Sequence, residues 1–320
     1  MQPEHKEPLM YPKTSYYRHN DAINTTDSQS RFHNSHLLDL VQPIRSLWRR
    51  DLRDFYSYLA LMARQFKEVQ RGLAVTNPSA THHNGDDRYS AGWAGYGMLP
   101  MAAYLYYLKT SGVSGSVLEC GVFKGGSTCC LSYACDYLGL RLIAADSFQG
   151  LPESDSYYSK GDFFGSLDEV KRNVELFGKP SCVTFLSGWF SESLASFQDD
   201  LMLLWIDVDL KSSVLDVLEN AFDCLVRDGV IFCDGLGETR DFDGDELRAG
   251  SPESEGLLEF FHNRNLSHKA VYTGVGHMGL VVPGAEVDQS LVYSRKSMDK
   301  IVLIVRAWLE LERRFDKLGL

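Results

Sequence analysis

Four acidic residues stand at the ends of apolar runs in the middle of this chain. They are Glu119 in VLECG, Asp146 in LIAAD, Asp207 in LMLLWID and Asp234 in GVIFCD. One acid after a strand is unremarkable. Four that converge on one rim would repel each other, so stability does not explain them. Carboxylates in such a place accept hydrogen bonds from hydroxyls or amines, or bind a cation.

The stretch Val117–Thr128, VLECGVFKGGST, says more about the ligand. An apolar segment passes through Glu119 and Gly121 into Gly125, Gly126, Ser127 and Thr128, and then into a helical pattern. Strand, glycine turn and helix start form a nucleotide-holding layout. Asp146 lies 20 residues past Gly126, where an acid accepts hydrogen bonds from ribose hydroxyls. Two cofactor classes compete. The dinucleotide fingerprint packs its glycines as G-x-G-x-x-G for a pyrophosphate, and a carboxylate at Glu119 would repel that group. The observed spacing, with glycines at 121, 125 and 126, suits a cofactor that joins a ribose to a charged amino acid. S-adenosylmethionine is that cofactor. A nicotinamide oxidoreductase on the same fold is the alternative.

The elements that must position these residues alternate between β and α from Val117 onward. Strands are expected at 117–120, 141–145, 182–186, 201–206 and 229–233, with helices at 128–137, 167–176 and 213–225. Such alternation predicts an α/β fold whose parallel sheet is covered on both faces. Ligands then bind outside the carboxyl ends of the strands. A helix at 255–263 and a closing pair of strands at 270–273 and 278–282 follow, while 235–254 reads as a mobile loop. Before the sheet, 1–35 reads as a flexible arm, 37–71 as two helices or one kinked near Pro43, and 92–109 as a helix that packs or acts as a lid. His82-His83 falls in a turn-rich loop and reads as an exposed pair. The run from Asp288 to Leu318 reads as a helix with a wide apolar stripe, a core element or a homodimer contact.

Composition narrows the partners. A formal charge of −11 argues against nucleic acid and anionic membranes. No apolar run reaches the roughly 20 residues that span a bilayer, and the first residues lack a signal-peptide profile. Seven cysteines without regular spacing read as reduced thiols of a cytoplasmic protein. Cys120, Cys129 and Cys130 read as core packing rather than metal ligands.

Six segments in one order carry a family resemblance: VLECGVFKGGST, AADSFQGLP, GDFFGSLDEVKRNVELFG, LSGWFSESL, WIDVDLKSS and DGVIFCDG. Together, over roughly residues 92–283, the chain resembles the macrocin O-methyltransferase family. These are class I S-adenosylmethionine-dependent enzymes that methylate sugar hydroxyls of natural-product glycosides. The resemblance implies a Rossmann-like fold with a mostly parallel seven-stranded sheet, helices on both faces and an added helical N-terminal region. The divisions are then an arm at 1–35, a helical region or lid at 36–111, a cofactor-binding domain at 112–287 and a C-terminal helix at 288–320. It implies that Glu119, Gly121, Gly125, Gly126 and Ser127 hold the methionine end of the cofactor. Asp146 would hold the ribose, with Ser147 and Phe148 beside it, and Gly188 and Trp189 would flank the adenine. Asp207 would serve both cofactor and catalysis.

The family's fourth and fifth strands resemble D-G-D and D-D, with acids that bind a divalent metal and orient the acceptor hydroxyl. Here Asp207-Val208-Asp209 keeps both acids, but Asp234-Gly235 loses one. Asp207 and Asp234 remain as expected ligands of a magnesium ion, with Glu238 a replacement for the third. Lys211 stands where the family has Tyr-Glu, and its charge is expected to pair with Asp209 or Glu238. Asp209 is the expected proton acceptor and His277 a second candidate. A small polar or glycosylated acceptor is the expected partner, in a chain that forms homo-oligomers. A cofactor-binding relative without turnover is the other alternative.

Overall fold

The computed structural model describes residues 52–76, 95–243, 246–273 and 276–284. The expectations for the N-terminal arm, His82-His83 and the C-terminal helix lie outside these residues.

Seven strands form one sheet in the order β3-β2-β1-β4-β5-β9-β8. They are β1 (Ser116–Cys120), β2 (Leu142–Asp146), β3 (Val183–Ser187), β4 (Leu201–Ile206), β5 (Leu225–Cys233), β8 (His268–Tyr272) and β9 (Gly279–Pro283). The five from β3 to β5 run parallel; β9 pairs antiparallel with β5 and β8. Strand order reverses between β1 and β4, which opens a crevice at their carboxyl ends.

The sequence builds this sheet by filling both faces. β1 and β4 are buried along their whole length, as strands sandwiched between helical layers must be. Alternate residues go to opposite cores. Val117, Leu203, Trp205 and Phe232 pack with helices α1 (Leu52–Thr76), α2 (Leu99–Thr110) and α3 (Gly126–Leu138). Leu118, Cys120, Leu204 and Ile206 pack against the other side, with α6 (Lys211–Ala221) and α8 (Pro252–Asn263). The remaining helices are α4 (Leu167–Phe177), the single turn α5 (Phe190–Ser193) and α7 (Glu238–Asp241).

Helix α2 buries nine of its twelve residues, so its described length is core rather than cover. Helix α1 crosses it through Tyr58, whose hydroxyl donates to the Ala102 carbonyl at 3.0 Å and whose ring lies 4.9 Å from that of Tyr106. Cys120, Cys129 and Cys130 are buried free thiols, and burial pushes Cys130 up to about 12. They are packing residues, as expected.

The segment after β5 differs from the mobile loop expected there. It folds into α7 and a small hairpin, β6 (Phe242–Asp243) with β7 (Glu246–Leu247). Its centre is Asp241, fully buried. That carboxylate accepts from Gly237 N at 2.7 Å, Arg240 Nε at 2.8 Å and Ser254 Oγ at 2.8 Å. A run of glycines and acids looks mobile by composition, but here one acid organises the rest. Among the described residues, no helix is long and apolar enough to cross a membrane.

The α1–α2 contact sets a first test. Tyr58→Phe removes one buried hydrogen bond and should cost about 1 kcal/mol in a denaturant titration.

Candidate active site

The site begins with a collision that glycine avoids. Gly121 follows β1 with φ +90°, and a side chain there would overlap the carbonyl oxygen of Asp207 after β4. The turn after β1 therefore lies directly on the end of β4. Gly125, also left-handed at φ +82°, caps α3, and its N–H closes the turn on Val122 O at 2.8 Å. Gly126 starts α3 and places Ser127 one residue in. Ser127 Oγ donates to Glu119 Oε1. The second oxygen, Glu119 Oε2, is buried and has no hydrogen-bond partner among the described residues. Burial pushes Glu119 up to about 7, against the Ser127 and Thr128 hydroxyls, with Asp146 adding to the rise.

Asp146 ends β2 beside this turn. One carboxylate oxygen accepts from Val122 N at 2.7 Å and Phe123 N at 3.3 Å; the other accepts from Phe148 N at 2.7 Å. Burial raises its pKa, and these backbone donors oppose the rise. The residue expected on a ribose thus also clamps the glycine turn to β2. Ser147 is tied into its own turn by Gln149 N at 3.0 Å, and Phe148 takes a left-handed φ of +55° with its ring against Phe185. Gly188 N donates to the backbone carbonyl of Asp146 at 3.0 Å, which ties the start of the Gly188-Trp189 turn to the end of β2. Hydrogen bonds thereby join the glycine turn, Asp146 and Gly188 into one unit at the ends of β1 and β2.

Across the crevice lies the acid rim. Burial raises the pKa of Asp207 first, then the neighbouring charges of Asp234, Asp209 and Glu119. Asp209 sits in a left-handed turn at φ +62°. Burial, Asp234 and Asp155 push it up to about 7. His277 lies against Gly237 at the start of α7, and burial lowers its pKa.

A fourth carboxyl joins the rim that no motif indicated. Glu253 comes from the first turn of α8 and is only 8% exposed. A side chain at Gly235 would overlap its carboxyl group. Glu253 thus fills the space where the family's second acid would point. Burial, then Asp209 and Asp234, push it up to about 8. Nothing in the sequence connects it to β5. Its helix start, Ser251-Pro252-Glu253-Ser254, is readable as a cap, but only the path through Asp241 and Ser254 delivers it here.

Two expectations about this rim change. Lys211 does not face Asp209 or Glu238. Its Nζ lies 2.9 Å from Glu259 and 3.6 Å from Glu255, because the first turn of α6 faces α8. Glu238 is exposed on α7 and does not fill the vacant acid position. For magnesium the donors are hard oxygens of the right kind. Among the described residues, however, no three Asp, Glu, His or Cys side chains are arranged to hold a metal ion. A three-ligand cage is thus not formed, while the expected pair, Asp207 and Asp234, stands together at the rim.

The rim does fit a cationic cofactor. It presents raised, crowded carboxyls and a buried unpartnered oxygen at Glu119, while the lysines nearby are engaged elsewhere, Lys124 with Glu169 at 3.5 Å. A model of the family described as Macrocin-O-methyltransferase (TylF) matches residues 48–243, more than half of the chain. The chain belongs to this family. The match begins within or just before α1, well ahead of the segments that carry the resemblance in sequence. It is 32% identical over 139 residues to the 8-demethyl-8-(2,3-dimethoxy-alpha-L-rhamnosyl)-tetracenomycin-C 4'-O-methyltransferase of Streptomyces olivaceus, covering 38% of this chain and 53% of that protein. It is also 32% identical over 142 residues to the mycinamicin III 3''-O-methyltransferase of Micromonospora griseorubida, covering 38% of this chain and 56% of that protein. The chain thus spans about half the length of the curated relatives it matches. The solved O-methyltransferase NovP aligns with a TM-score of 0.52 at 21% identity, over 72% of this chain and 99% of that one, which establishes the shared fold.

Two outcomes test the rim. Because Glu253 titrates near 8 when folded and near 4.5 when unfolded, it favours the folded state at low pH and loses that effect as pH rises through 8. Glu253→Gln should flatten the fall of Tm between pH 5 and 8, measured without ligand. Gly235→Asp with Glu253→Ala restores an acid after Asp234 and should tighten magnesium binding by about tenfold or more in calorimetry.

Proposed function

We propose that this chain transfers the methyl group of S-adenosylmethionine to a hydroxyl of a small, polar, glycosylated molecule. One observation carries the reading: the glycine turn after β1 is pressed onto an acid rim after β4 and β5. A pyrophosphate would be repelled there, whereas a sulfonium and an ammonium group are attracted. Family membership and two relatives named as O-methyltransferases of natural products support the same chemistry.

When bound, the cofactor supplies an electrophilic methyl group. The chain's own task is to align the acceptor oxygen and take its proton. In this reading Glu119, Gly121, Gly125, Gly126 and Ser127 receive the methionine end. Asp146, Ser147 and Phe148 receive the ribose, and Gly188 and Trp189 the adenine. Asp207 faces both sides of the crevice. Asp209, pushed up to about 7, is poised to accept the hydroxyl proton near neutral pH. The seven free thiols suit a reducing compartment, and we place the chain in the cytoplasm. A homo-oligomer through the apolar run 288–318 is part of the same proposal.

Asp207→Ala should abolish turnover with a glycoside acceptor. Asp209→Asn should lower kcat by about 10²–10⁴-fold while leaving S-adenosylhomocysteine affinity near wild type. Full activity in Asp209→Asn would remove it from the proton-transfer role.

A further inference from the structure

The segment GDFFGSLDEVKRNVELFG folds mostly into α4, and one residue on that helix is out of place. The face that α4 buries carries Val170, Asn173 and Val174, an apolar stripe at helical spacing with an amide in it. Asn173 is only 3% exposed. Asparagine is a weaker helix former than leucine, and burying its amide is unfavourable unless the amide is hydrogen-bonded. A helix that only covered the sheet would carry an apolar residue there.

The amide reaches the glycine turn. Asn173 Nδ2 donates to the carbonyl of Lys124 at 2.9 Å, across 49 residues of sequence. Contacts on either side make a continuous seam. Gly165, just before α4, lies so close to the Phe123 carbonyl that a Cβ would overlap it, and a Cβ on Gly125 would meet Val170 Cγ1 at 3.1 Å. Lys124 Nζ pairs with Glu169 at 3.5 Å. Phe123, Lys124 and Gly125 are thus each held from the side of α4. The far end of this helix is fixed as well, because Lys179 N donates to Ser132 Oγ on α3 at 2.8 Å. Helix α4 therefore braces the turn against α3.

What the turn can bind depends on its shape. Cys129 N bonds back to Gly125 O at 2.9 Å, and helix geometry leaves the N–H groups of Gly126, Ser127 and Thr128 without an intrahelical acceptor. These donors stand beside Glu119, whose Oε1 accepts from Ser127 Oγ. Groups suited to the carboxylate and to the ammonium of an amino acid so meet at one place. Two adjacent glycines leave this backbone free to rotate. The Lys124 carbonyl belongs to the peptide that enters Gly125, so a bond to it fixes the plane from which α3 starts.

We propose that Asn173 is a positioning residue for the amino-acid end of the cofactor. It acts through the turn rather than by contact with the ligand. Holding the Lys124 carbonyl keeps Gly125 left-handed and aims the first N–H groups of α3. The adenosine end depends instead on the clamp at Asp146, which grips Val122 and Phe123 from β2. The inference rests on the methyl-transfer reading, and its test separates the two.

Two ligands distinguish this role from plain stability. S-adenosylhomocysteine carries both adenosine and the amino acid, whereas methylthioadenosine keeps the adenosine and the thioether and lacks the amino acid. Calorimetry on the full chain would compare wild type with Asn173→Asp, which keeps the shape but removes the donor, and with Asn173→Leu. Both variants should bind S-adenosylhomocysteine about tenfold more weakly, as a buried carbonyl left without its donor implies, and methylthioadenosine within about twofold of wild type. Equal losses for the two ligands, or no loss for S-adenosylhomocysteine, would overturn the positioning role. Hydrogen exchange on ligand-free wild type checks it without any variant. The Gly125 amide, bonded to Val122 O at 2.8 Å, should exchange as slowly as the amides within α4, and fast exchange there beside a protected α4 would also overturn the role. Failure of wild type to bind S-adenosylhomocysteine would instead overturn the methyl-transfer reading.

Discussion

The contact between the Gly121 backbone and the Asp207 carbonyl governs the site. β1 and β4 are neighbours in the sheet, yet chain connections leave them in opposite directions. Any side chain at 121 would force their ends apart. With glycine there, the turn after β1 rests on the end of β4. The groups that would grip a cofactor and those that would treat an acceptor then share one crevice.

That closeness has an electrostatic cost. Glu119, Asp207, Asp209 and Glu253 crowd the same rim as Asp234, and burial is the chief cause of the raised pKa of each of these four. A fold selected for stability alone would pair such acids with lysines, yet Lys211 and Lys124 bind other partners. The stress is relieved by protons in the ligand-free chain and by positive charge in a ligand. Such a rim favours a sulfonium over a pyrophosphate on charge alone.

Much of this was legible in the chain. Continuous apolar runs such as LMLLWI mark strands buried on both faces, and the acids that end them mark the rim. The bounds of β4 agree with the expectation residue for residue, and the others shift by a few. What could not be read depends on contacts between distant segments. Asp241 turns an acidic, glycine-rich loop into an ordered one by accepting three hydrogen bonds. Lys211 looked like a replacement cation because it follows Asp209 in sequence, but the helix it starts turns it toward α8. Asp146 stands at the spacing expected of a ribose-binding acid, while its bonds to Val122, Phe123 and Phe148 follow only from the pairing of β1 with β2.

The sequence by itself determined the α/β sheet, the cofactor class and the family, because these rest on local periodicity, turn glycines and short motifs. Tertiary structure alone decided how the acid rim is completed. Gly235 reads as a lost carboxylate when its strand is considered alone. In the folded chain, Glu253 arrives from 18 residues away to fill that space, because the buried Asp241–Ser254 bond draws the start of α8 against β5.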